Sequence, residues 1–129
     1  MKKIISAENA PKAIGPYSQA IKLSNGMLFI SGQIPVNPTT GTMPEGITAQ
    51  TEQVMKNIAA ILDEAGYKFE NIVKTTCLLN DIANFKAMNE VYAKYFVSDY
   101  PARAAFAVKD LPLGALVEIE CIAYHSYNF

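Results

Sequence analysis

The chain has 129 residues, half of them apolar and 18% charged, with a formal net charge of -1. That balance suits one globular domain spanning 1–129, which its strand and helix patterns make α+β, and excludes a disordered chain. No basic surplus favours nucleic acid or an anionic membrane, and no apolar run approaches a signal peptide core or the roughly 20 residues of a spanning helix, so neither partner is expected.

Taken in chain order, the first clear element is a hairpin. Asn25-Gly26 separates apolar stretches at 17–23 and 27–31 and supplies the positive φ of a tight turn. Residues 32–46 hold three prolines and three glycines, which predicts a loop long enough to suspect a role in function. Thr48 is then expected to cap a helix over 48–65, with Val54, Ile58, Ile61, Leu62 and Ala65 on one stripe and Gly66 as its left-handed stop. A strand over 72–79 follows. Asp81 is expected to cap a second helix whose inner face carries Ile82, Phe85, Met88, Tyr92, Tyr95 and Phe96, read as core rather than as a stacking platform. Pro101 closes this region, and strand character resumes over 103–108.

The last strand, 116–124, is the most informative. Val117, Ile119, Cys121 and Ala123 share one face; Leu116, Glu118, Glu120, Ile122 and Tyr124 share the other. Two helices can cover only one face of so small a sheet. The second face is too apolar to be left wet, which predicts an oligomer whose sheet faces meet, with sites where subunits join. A monomer with scattered apolar surface is the plainer alternative.

Few side chains here can carry chemistry. Ten lysines accompany a single arginine, Arg103. A guanidinium grips a carboxylate through two parallel hydrogen bonds, yet an ordinary ion pair would use it equally well, and the sequence leaves these two readings even. Glu118 and Glu120 share a strand face, where a carboxylate can orient water and take its proton; a solvated polar face is the alternative. His125 is the sole histidine. Cys77 and Cys121 stand far apart and read as buried thiols in a reducing cytosol rather than a disulfide. No metal cluster, nucleophilic triad or phosphate-binding glycine loop is present, so no metal or cofactor is expected.

A set of short blocks runs through nearly the whole chain. Ala10-Pro11 precedes Ala13-Ile14-Gly15-Pro16-Tyr17-Ser18-Gln19; Ser31-Gly32-Gln33-Ile34-Pro35 and Pro101-Ala102-Arg103 follow. Leu111-Pro112, Gly114-Ala115, Val117-Glu118-Ile119-Glu120 and Ile122-Ala123 close it. In order and spacing they resemble the RidA (YjgF-type) imine deaminase family.

The resemblance implies a chorismate-mutase-like fold, a mixed sheet with two helices on one face, assembled as a cytoplasmic homotrimer with inward-facing sheets and clefts between subunits. It implies hydrolysis of 2-iminopropanoate (the tautomer of 2-aminoacrylate) and 2-iminobutanoate to 2-oxo acids and ammonia, which protects pyridoxal phosphate enzymes. By the same correspondence Arg103 would bind the substrate carboxylate and Glu118 would position water. Tyr17, Ser31, Gly32 and Asn89 would line the cleft. Two departures are visible. Ala105 stands where bacterial members often carry cysteine, and the stretch between Tyr92 and Pro101 is shorter than in some relatives, which bears on the cleft rim. A sensor of 2-oxo acids, using Arg103 alone, is one competing reading. An endoribonuclease that inhibits translation is another, disfavoured by the lone histidine and the negative charge.

Overall fold

The computed structural model describes residues 1–126. Six strands and two helices follow one another: β1 (Lys2–Ile5), β2 (Ala20–Leu23), β3 (Met27–Gln33), α1 (Ile47–Ala65), β4 (Ile72–Leu79), α2 (Phe85–Ala93), β5 (Ala102–Ala107) and β6 (Val117–Tyr124). They form one mixed sheet in the order β1-β2-β3-β6-β4-β5, antiparallel except for the parallel pair β4–β5. Both helices lie on one face. Val54, Ile58 and Ile61 of α1 and Met88 and Tyr92 of α2 pack in one apolar cluster with Leu28, Cys77, Val117, Ile119 and Cys121 of the strands.

The alternation expected of the last strand is present residue by residue. Val117, Ile119, Cys121 and Ala123 are buried under the helices, while Glu118 and Ile122 are half-buried and Glu120 and Tyr124 exposed on the other side. That open face also carries exposed Phe29 and Phe106, which pair in register with Ile122 of β6 and Leu78 of β4.

Several boundaries differ from the sequence reading, each for a local reason. Gly46, not Thr48, caps α1: its φ of 88° is open to glycine, its carbonyl accepts the Gln50 N–H, and no side-chain cap forms. Gly66 does end α1 in the left-handed region, with the N–H of Tyr67 returning to the Leu62 carbonyl. Asp81 caps a 3-10 turn, Ile82–Asn84, which leaves Ile82 exposed, and α2 stops at Ala93. Tyr95 and Phe96 therefore follow the helix, on bonds tightened to i−3 carbonyls. The hairpin strand begins at Ala20 rather than residue 17, and β3 runs on to Gln33, so the long loop starts at residue 34. β1 went unread because its lysines and exposed Ile4 mask its pattern; it is an edge strand held by pairing with β2.

Candidate active site

The candidate residues fall into two groups on opposite faces of the sheet. Arg103 pairs in register with Thr75 of β4, and Thr75 is buried beneath α2. Its side chain is therefore on the helix side, at the free edge of β5. Nη1 donates to Asn89 Oδ1 at 2.6 Å, and the guanidinium carbon lies 5.0 Å from the Tyr92 ring centre and 5.3 Å from that of Phe85. Phe85, Asn89 and Tyr92 are spaced i, i+4, i+7, so all three come from one face of α2. The Tyr92 hydroxyl is fixed in turn by Thr75 Oγ1 at 2.8 Å, and burial raises its pKa above 10.0 against the effect of that hydrogen bond.

Among the described residues the guanidinium has no carboxylate within ion-pair distance; the one ion pair there is Lys94–Glu52 at 3.7 Å. Asn89, Tyr92, Ala93, Tyr100, Pro101 and Arg103 line a hollow of about 330 Å³. The guanidinium is thus held by neutral groups and left exposed, able to take a carboxylate through its fork. Tyr100 and Pro101 are among its walls, which puts the segment before Pro101 beside the guanidinium.

Cys77 lies in register with Ala105, two residues beyond Arg103 on the same face. It is fully buried, and desolvation raises its thiol pKa although Arg103 acts to lower it. The position that the resemblance marks as a frequent cysteine is Ala105 here, in register with that buried thiol.

The second group lies on the open face. Between Ile30 and Gln33 the register of β3 on β6 shifts by one residue, a bulge at Ser31-Gly32. There the Ser31 hydroxyl donates to the Ser18 carbonyl at 2.6 Å, tying the bulge to the segment that carries Tyr17. A methyl group built on Gly32 would overlap the Glu118 carboxylate, so the missing side chain is what lets that carboxylate lie against backbone. Tyr17, Ser31, Gly32, Glu118 and Glu120 share a hollow of about 490 Å³ with Ile14, Ile34 and Pro112. Burial, and then the charge of Glu120, raise the Glu118 pKa above 4.5.

Tyr17, Ser31, Gly32 and Glu118 are thus together, Asn89 and Arg103 are together, and the two hollows are separated by the sheet. The sequence reading missed Phe85 and Tyr92 as neighbours of the arginine, having assigned both to the core. The signal was available: Asn89 is a polar residue inside the stripe formed by Phe85, Met88 and Tyr92.

A family model described as Endoribonuclease L-PSP matches residues 7–125. The chain belongs to this, the Rid (YjgF/RidA) family. A RutC family protein of Pyrococcus horikoshii is 55% identical to this Rid chain over 125 residues, covering 96% of it and 98% of the relative. The human 2-iminobutanoate/2-iminopropanoate deaminase is 47% identical over 124 residues, covering 95% and 90%. Among solved structures, YyfA of Yersinia pestis, described as a conserved Rid family protein of unknown function, superposes with a TM-score of 0.93 at 52% identity, covering 97% of this chain and all of that one. No helix among the described residues of this Rid chain is long and apolar enough to cross a membrane.

Proposed function

We propose that this Rid chain is a 2-iminobutanoate/2-iminopropanoate deaminase, working in the cytoplasm as a homotrimer in which the Arg103 hollow of one copy closes on the Glu118 hollow of the next. The observation that carries this reading is the split of the two groups across the sheet. An anion-binding arginine and a half-buried carboxylate, each with its own supporting residues, cannot act on one small molecule within one chain. The exposed apolar side chains of the open face supply a reason for copies to associate there. The human relative's name and the free thiols of Cys77 and Cys121 agree with it.

The chemistry needs little more than placement. A protonated 2-imino acid is already electrophilic at the C=N carbon. Arg103, oriented by Asn89 and two aromatic faces, binds its carboxylate. Glu118, beside Gly32, accepts a proton from water as the oxygen adds to that carbon. Glu118 returns that proton to the nitrogen of the resulting carbinolamine; the C–N bond then breaks with loss of ammonia as the hydroxyl gives its proton back to the carboxylate, leaving pyruvate or 2-oxobutanoate. A raised Glu118 pKa suits this exchange, since the group must both take a proton and give it back.

The test is direct. A threonine dehydratase generates 2-iminobutanoate, and semicarbazide traps what remains; adding this protein lowers the trapped fraction. Arg103→Ala abolishes that effect while the protein still elutes at about three times 14.1 kDa. Undiminished activity in Arg103→Ala would refute the assignment. Glu118→Ala separates enzyme from sensor: an enzyme keeps 2-oxo acid affinity and loses rate.

A further inference from the structure

The segment from the end of α2 to β5 runs beside the Arg103 hollow, and the chemistry above gives it no task. Its anchor is Phe96, 8% exposed, whose ring centre lies 4.9 Å from that of Tyr92 and 5.8 Å from that of Phe69. Tyr100 reaches back onto the same anchor, its ring centre 6.0 Å from that of Phe96. Tyr92 also carries the Arg103 guanidinium over its ring, at 5.0 Å. One aromatic series therefore positions both the arginine and Tyr100.

Little chain separates these points. Residues 97–101 alone join Phe96 to Ala102, the first residue of β5, which pairs with Lys74 of β4. Asp99 makes the turn at φ 51°, a left-handed conformation that aspartate tolerates better than most side chains. Pro101 then biases Tyr100 toward extended backbone. A short turn between two fixed ends holds Tyr100 against the hollow that it lines, before any ligand arrives.

Of the residues that line this hollow, Asn89, Tyr92, Ala93 and Pro101 are buried or half-buried, and only Arg103 and Tyr100 are exposed. Tyr100, at 63%, is a large ring that its own chain leaves mostly open. The guanidinium beside it has a matching need. A carboxylate paired with an exposed guanidinium gains little, because water and salt ions screen the two charges. A ring laid over the pair displaces both and strengthens the same contact.

We propose that Tyr100 is a further substrate-binding residue, whose ring closes over the pair formed by Arg103 and the substrate carboxylate and keeps water and salt ions off it. This rests on the reading of Arg103 as the receptor of that carboxylate, which the deaminase proposal contains. The ring is what matters here, and the hydroxyl is dispensable. The carboxylate is bound alike in the substrate and in the transition state, so the cover acts on KM and not on kcat.

The experiment measures 2-oxobutanoate affinity by calorimetry and 2-iminobutanoate kinetics by semicarbazide trapping, at about 50 and about 500 mM sodium chloride. Tyr100→Ala raises Kd and KM about tenfold at the higher salt and leaves kcat within about twofold. Its affinity also falls more steeply with salt than the parent's does. Tyr100→Phe keeps the ring and restores the parent's affinity and salt dependence. Melting temperature and elution volume stay at the parent's values in both variants, since so exposed a ring contributes little to the core. An unchanged salt dependence in Tyr100→Ala, a Tyr100→Phe as weak as Tyr100→Ala, or a loss of affinity that comes with a smaller assembly overturns the cover while leaving the deaminase intact. A wild-type protein that binds 2-oxobutanoate without hydrolysing the imine overturns the deaminase, and the calorimetric arm still decides the cover. One that does neither overturns both.

Discussion

Glu118 is the residue on which pH dependence turns. Burial raises its pKa and the charge of Glu120, two residues along the same face, raises it further. In the proposed reaction its ionised form is the base, so kcat/KM should fall as pH drops through its raised pKa. Glu120→Gln removes the second cause and moves that acidic limb to lower pH; an unmoved limb would assign the shift to burial alone. The same perturbation acts on stability. A carboxyl whose folded pKa is raised contributes stability at low pH that is lost as pH rises through that value. Glu118→Gln should therefore melt no lower than the parent at pH 7, and its melting temperature should respond less to pH between 4 and 7. For Arg103 the corresponding question is orientation. Cation–π contact with one ring at an exposed site contributes about 0.5–1 kcal/mol. Phe85→Leu accordingly raises KM about two- to fivefold with kcat nearly unchanged, while Tyr92→Phe, which keeps the ring and loses only the Thr75 bond, stays close to the parent.

At the level of elements, the bulge of β3 is what makes the open-face hollow. One extra residue at Ser31-Gly32 bends the strand over β6 and presents bare backbone to Glu118. Gly32→Ala should fold, since the displaced group is the end of a flexible side chain. It should lower kcat by about 10²-fold, a loss typical of a misplaced acid–base group. Circular dichroism and stopped-flow trapping check the two halves of that statement. Elements also explain what could be read beforehand. The inner and outer faces of β6, the Gly66 stop and the Asn25-Gly26 turn are set by neighbours a few residues apart, so the sequence displays them. Gly46 as the cap of α1 depends on a positive φ that composition does not announce. The side on which Arg103 points depends on the register of β5 with β4, a pairing across 28 positions, from Thr75 to Arg103. Local pattern placed Arg103 on a strand; only the pairing put it on the helix side, away from Glu118.

For the whole molecule, that separation has a consequence that single variants cannot reach. If each site takes Arg103 from one copy and Glu118 from its neighbour, Arg103→Ala and Glu118→Ala damage different halves of every site. Trimers mixed from the two variants would rebuild intact sites wherever an Arg103-bearing copy meets a Glu118-bearing one in the right order. Random exchange at equal amounts gives each half the intact partner half of the time, so about a quarter of the sites are whole. Co-refolding the two inactive proteins should thus recover about a quarter of the parent activity, whereas mixing them without exchange should recover none. A site contained in one copy behaves otherwise, because every chain in the mixture lacks one of its two groups. Activity after exchange that stays at the level of the separate variants would mean that Arg103 and Glu118 do not serve one substrate across a subunit boundary.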